Sequence, residues 1–100
     1  MILMLAEMPI ASDSREAALE LCEELAEQSR AEDGVVDYRV ATDVEAPHTV
    51  RVIEQYEDGA AVDAHMSSDH FESFQAAIAP HLAGEPELHR FEVDSKSWTV

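Results

Sequence analysis

Residues 2–8 read Ile-Leu-Met-Leu-Ala-Glu-Met, with Ile2, Met4, Ala6 and Met8 on one side of a strand and Leu3 and Leu5 on the other. A strand that is apolar on both sides is predicted to run through the middle of a sheet with both faces covered. Ser12, Asp13 and Ser14 are helix-starting residues, and Asp13 followed three positions later by Glu16 predicts a capping box. The helix runs to about Ala31: Ala18, Leu21, Cys22, Leu25 and Ser29 recur at helical spacing, and Glu20, Glu23, Glu24 and Glu27 fall largely on the solvated side. Asp33-Gly34 ends it.

Two β-rich runs follow, 35–42 with Val36, Tyr38 and Val40 alternating against Asp37 and Arg39, and 49–56; Glu45-Ala46-Pro47-His48 between them predicts the turn of a hairpin. Asp58 is placed to cap a short helix through Met66. Ser68 restarts a second, with Asp69 and Glu72 in the first turn, where acids suit the helix dipole, and Ala79-Pro80 breaks it. After Gly84 and Pro86, the segment 88–100 alternates His89, Phe91 and Val93 and carries Trp98, which predicts a long last strand.

The order β-α-β-β-α-α-β, joined by right-handed crossovers, gives an α+β, ferredoxin-like fold: a four-stranded antiparallel sheet with its helices on one face. The other face has no cover of its own. Since the first strand is apolar on both sides, that face is expected to meet a second copy in a symmetric dimer.

One hundred residues at 46% apolar content are read as a single domain, 1–100. Met1 to Ala6 lack a basic leader and run into Glu7 and Pro9, so neither a signal peptide nor a membrane span is expected, and the protein is read as cytoplasmic. Twenty-two acidic residues face six basic ones, for a net charge of −16, and Lys96 is the sole lysine. Such self-repulsion is screened within about 3 Å at molar salt, so the composition points to a halophilic source. It also argues against nucleic acid, which needs clustered cations where this chain has five scattered arginines. Cys22, the only cysteine, allows no internal disulfide and is expected to be a small buried side chain.

The candidate chemistry lies between Glu54 and Phe71. Glu54 and Tyr56, two apart on a strand, share a sheet face with Val50 and Val52. A carboxylate there needs a partner, and the structural reading pairs it with Arg39 or Arg90. His65 closes the first short helix and His70 sits one turn into the next, so a bend at Ser67-Ser68 aims both rings under the helices, where imidazoles serve as bases, as donors, or simply as satisfied core groups. No metal is expected: on a continuous helix five residues subtend about 500°, which sets the rings roughly 140° apart. Phe71, Phe74 and Ile78 recur at helical spacing as core, and Phe71, Phe74 and Met66 are the candidate walls of a hydrophobic substrate pocket. There is no Gly-rich phosphate loop, serine elbow or nucleophilic cysteine.

The pattern Glu54-x-Tyr56-x-Asp58-x-x-Ala61-x-x-x-His65-x-x-Ser68-x-His70-Phe71 resembles the signature of the antibiotic biosynthesis monooxygenase domain, a dimeric ferredoxin-like α/β-barrel family that includes quinol monooxygenases. The order of elements, Gly34 before the second strand and the Trp98 segment agree with it. The resemblance implies oxygenation of a quinol or polycyclic phenol by dioxygen without metal, flavin or other cofactor, in a dry pocket that supplies a base and hydrogen-bond donors. It implies His65 as the base or orienting group, Tyr56 where the family often has tryptophan, and Glu54 and His70 holding the site in shape. Haem-degrading relatives use an axial histidine near the place of Gln75 and an asparagine at that of Met8, so haem is not expected here. Another branch, an isomerase acting on a small phosphorylated sugar, carries a His-x-x-Thr-x-His form close to His65-x-x-Ser68-x-His70; its phosphate would want Arg39 or Arg90 in the pocket. A non-catalytic, stress-related dimeric barrel with structural histidines is the third reading.

Overall fold

In the computed structural model, which describes residues 1–99, strand β1 (Ile2–Pro9) occupies the middle of the sheet. It pairs with both β3 (Thr49–Tyr56) and β4 (Glu87–Glu92), and β2 (Val35–Thr42) adds to the far side of β3. The order is β2-β3-β1-β4, with every pairing antiparallel. Helices α1 (Arg15–Arg30), α2 (Gly59–Met66) and α3 (Asp69–Ile78) complete the expected α+β, ferredoxin-like arrangement. No helix among the described residues is long and apolar enough to cross a membrane.

Register fixes which side chains meet the helices. Met4 stands between Glu54 and Arg90, and Glu54 in turn opposes Tyr38, so the even-numbered positions of β1 share a face with Val50, Val52, Glu54 and Tyr56 of β3. On that face Met8, Val50, Val52 and Tyr38 pack with Ala18, Cys22, Leu25 and Ala26 of α1 and Ile78 of α3. A smaller cluster joins Ile2, Met4 and Tyr56 to Val62 of α2. Cys22 is buried and unpaired, as expected from its helical phase. Odd-numbered positions point to the open face, where Leu5, Ile53 and Phe91 are 37%, 40% and 46% exposed.

The caps of the two short helices are those read from the sequence. Asp58 accepts a hydrogen bond from the Ala61 amide at 2.9 Å, and the Ser68 hydroxyl accepts from the Phe71 amide at 3.3 Å. α3 ends at Ile78, and Ala79-Pro80 opens a single 3-10 turn. Gly34, between α1 and β2, lies so close to α2 that a methyl group there would run into the Cβ of Ala61.

Two expectations about these elements are corrected. α1 has no capping box at Asp13: Ser14 is the N-cap residue and makes no side-chain cap bond, its hydroxyl lying 3.0 Å from Nδ1 of His81 instead. β4 stops at Glu92 rather than continuing through the Trp98 segment. Its partner runs out, since Glu92 already opposes Ile2 and the chain's first residue, Met1, is reached at Val93, whose amide donates to the Met1 carbonyl and whose carbonyl accepts from the Met1 amino group. Trp98 is consequently 92% exposed, and Val100 lies outside the described residues.

Candidate active site

Glu54 is buried in the centre of the sheet beneath the helices. The expected ion pair is not made. Arg39 opposes Ile53, so it projects from the opposite face and bonds Asp37 at 2.9 Å, and Arg90 bonds Glu92 at 3.3 Å. The Tyr56 hydroxyl donates to Glu54 Oε1 at 2.6 Å instead. One neutral donor does not offset the loss of solvent, and burial raises the Glu54 carboxyl to about 7. Burial, reinforced by the Glu54 charge, pushes the Tyr56 phenol far above its ordinary range, so it remains a donor.

Beside Glu54 the helices leave a cavity of about 200 Å³ between the sheet, α1 and α3. Its walls are apolar: Met8, Val52, Leu25, Phe71, Phe74 and Ile78, with Cys22 and Tyr38 among them. Burial lifts the Cys22 thiol to about 11, which keeps it a thiol rather than a nucleophilic thiolate. Met66, Gln75, Pro86, Glu87 and Leu88, all exposed, form the rim. The three residues expected to wall a pocket, Met66, Phe71 and Phe74, thus surround a void rather than fill one. No Lys, Arg or His is among the lining residues.

His65 lies under the helices but is not among the residues that line this cavity. It is completely buried, and its ring packs on Phe71, Tyr38 and Tyr56 with centroid separations of 5.0, 5.4 and 5.6 Å. Tyr38 and Phe71 also line the cavity, so His65 stands behind its wall. Its Nδ1 lies 2.8 Å from Glu32 Oε2, and Nε2 of His70 lies 2.7 Å from the same oxygen. Nε2 of His65 is buried without a partner.

The break between α2 and α3 creates this meeting. Ser67 closes α2 and Ser68 starts α3, the Ser68 hydroxyl donating to the His65 carbonyl at 2.6 Å while accepting from the Phe71 amide. The angular argument that separated the two histidines assumed one continuous helix; with the axis redirected at Ser67-Ser68, both rings face the end of α1. Glu32, which joins them, has no signal in the sequence. It sits in the turn after α1, 33 and 38 positions away from its two partners.

The family model described as antibiotic biosynthesis monooxygenase matches residues 1–77. The chain belongs to that family. Within it, the chain is 32% identical over 93 residues to the Bacillus subtilis (strain 168) protein named "Putative monooxygenase YcnE", covering 93% of this chain and 98% of that one. Solved structures repeat the fold. A conserved protein from Methanosarcina mazei Go1 superimposes with a TM-score of 0.87 at 27% identity, over 90% of this chain and 89% of that chain. PA3566 from Pseudomonas aeruginosa does so with a TM-score of 0.86 at 26% identity, over 94% of each chain. As a member of the antibiotic biosynthesis monooxygenase family, this chain has tyrosine at position 56, and in this setting the phenol hydroxyl partners the buried acid.

Proposed function

We propose that the protein is a cofactor-independent monooxygenase whose substrate is a single-ring quinol, with Glu54 as the general base. The observation that carries this reading is a buried carboxyl, titrating at about 7, on the wall of an apolar cavity whose other acid, Glu87, stands at the exposed rim. A base with its pKa near the working pH is best matched to removing a phenolic proton. The family and the name borne by the Bacillus subtilis relative support oxygen chemistry.

In the proposed reaction Glu54 takes the hydroxyl proton of the bound quinol. The resulting anion gives one electron to dioxygen, and the two radicals combine at a ring carbon to a peroxide that loses water. Hydroquinone plus dioxygen then yields hydroxyquinone plus water, one oxygen atom going to each product. The dry walls favour the anion's reaction with apolar dioxygen over side reactions with water. Tyr56 holds the Glu54 carboxyl in place. Glu32, His65 and His70 fix the α2–α3 corner that backs Phe71.

Size argues for one ring. A cavity of about 150 Å³ admits benzene, so the 200 Å³ here suits a single aromatic ring with its hydroxyls, and a polycyclic phenol would need the Met66 and Leu88 rim to part. The absence of Arg39 and Arg90 from the lining counts against the isomerase reading, since a phosphate dianion would meet Glu54 and Glu87 without a cation. The open face, with Leu5, Ile53 and Phe91 exposed, supports a homodimer through the sheet, and the acid-rich surface supports a salt-loaded cytoplasm.

Oxygen uptake with a panel of substituted hydroquinones tests the proposal. Uptake is expected with single-ring quinols, falling by about 10²–10⁴-fold in Glu54→Gln while the fold persists. Uptake unchanged in that variant, or absent with every quinol, would overturn it.

A further inference from the structure

We infer that Glu32, His65 and His70 form a binding site for a divalent first-row transition ion of the zinc class, a clamp that ties the ends of α1, α2 and α3 together. This is separate from the oxygenase reading and does not depend on it. One oxygen, from the turn after α1, and two imidazole nitrogens, from α2 and α3, lie within 4.8 Å of one another. Two imidazoles and one carboxylate are a donor set suited to such ions, which bind nitrogen and oxygen at about 2.0–2.2 Å.

The three donor atoms are already gathered within the 4.8 Å that small side-chain adjustments can close onto an ion. Donors of a tetrahedral site stand roughly 3.4 Å apart, from bond lengths near 2.1 Å. Glu32 Oε2 is now 2.8 and 2.7 Å from the two nitrogens, so seating an ion asks the carboxylate to retreat by about 0.6 Å, a side-chain adjustment. Access exists on one side. The side chains of His70 and Glu32 are 22% and 17% exposed, while that of His65 is 1% exposed. His70 also borders an open groove between α1 and α3 lined by Glu24, Gln28 and Asp69, whose acids attract cations.

The orphan atom of His65 is a second, independent indication. With a proton on Nδ1 for Glu32, the bare Nε2 is sealed among the rings of Tyr38, Tyr56 and Phe71 with nothing to accept from. An ion on Nδ1 reverses the tautomer and puts the proton on Nε2. An N–H is the better neighbour for aromatic faces, which accept weakly and donate nothing to a lone pair. Because Tyr38 and Phe71 stand between this site and the cavity, the ion holds the roof in place and does not touch substrate.

Equilibrium dialysis with zinc alone as ligand, in excess magnesium to occupy the surface carboxylates, tests the inference. One zinc per chain is expected, with affinity at least tenfold weaker in Glu32→Gln and in His70→Ala, and with a zinc-dependent rise in Tm in the wild type that both variants lose. Cobalt bound to the wild-type protein should give the visible absorption of a tetrahedral nitrogen and oxygen site, a readout that stands even if a variant fails to fold. No stoichiometric zinc in the wild type, or equal affinity in folded variants, or a cobalt spectrum indistinguishable from the hexaaquo ion, would overturn it.

Discussion

Tyr56 donates its hydroxyl to Glu54 Oε1 at 2.6 Å, two positions along the same strand, and this is the one hydrogen bond made by the buried Glu54 carboxyl among the described residues. A phenol supplies a dipole where an arginine would supply a charge. The acid is therefore left titrating at about 7 instead of being held as a permanent carboxylate.

Stability should fall between about pH 4.5 and 7 because of Glu54. Its pKa is raised on folding from 4.5 to about 7, so the folded chain holds the proton that the unfolded chain has already released in that window. The favourable difference is present below the window, is lost across it and is constant above it, a change of roughly 3 kcal/mol for this group. Denaturant unfolding of wild type and Glu54→Gln at pH 5 and pH 8 checks this. The variant should lose this component of the pH slope and be the more stable of the two at pH 8.

Tyr56→Phe removes the donor that favours the charged form of Glu54. The apparent pKa of that carboxyl should rise further, and the acid limb of any pH–rate profile should move to higher pH, with kcat reduced below the new pKa and partly restored above it. An unchanged limb would place the titrating group elsewhere.

Gly34→Ala should be costly out of proportion to one methyl group. The added Cβ meets the Cβ of Ala61, and both α2 and the turn carrying Glu32 would have to shift. A loss of about 1–3 kcal/mol is expected from such overpacking, measured by denaturant midpoint. The double variant Gly34→Ala, Ala61→Gly should recover much of it.

Ile53→Lys places a charge at the middle of the open sheet face, opposite Leu5. If a second copy covers that face, sedimentation should show a monomer where the wild type is a dimer, while the helix-side core is untouched. A monomeric wild type would remove the basis for the dimer.

Raising potassium chloride from millimolar to molar should raise the unfolding midpoint. The net charge of −16 repels itself over a Debye length that shrinks from about 30 Å at 0.01 M to about 3 Å at 1 M. Flat stability across that range would sever the link between composition and salt.

The sequence by itself determined the elements and their order. Two-sided apolarity placed β1 in the middle of the sheet, alternation put Glu54 and Tyr56 on one face, and Asp58 and Ser68 marked the starts of α2 and α3, because these signals are local and follow the periods of strand and helix. Termination was less legible. β4 continues only as far as β1 can pair with it, a property of the partner strand and not of the 88–100 segment. Which partners meet at the site was decided by the tertiary structure. Whether Glu54 met an arginine or a phenol depended on the register that turns Arg39 to the opposite face and on Arg90 bonding Glu92 instead, and whether His65 and His70 shared a partner depended on how the chain turns between two helices. Glu32 comes to both rings across more than thirty positions of sequence, a distance over which no periodicity carries information; only the packing of α1 against the sheet puts it there.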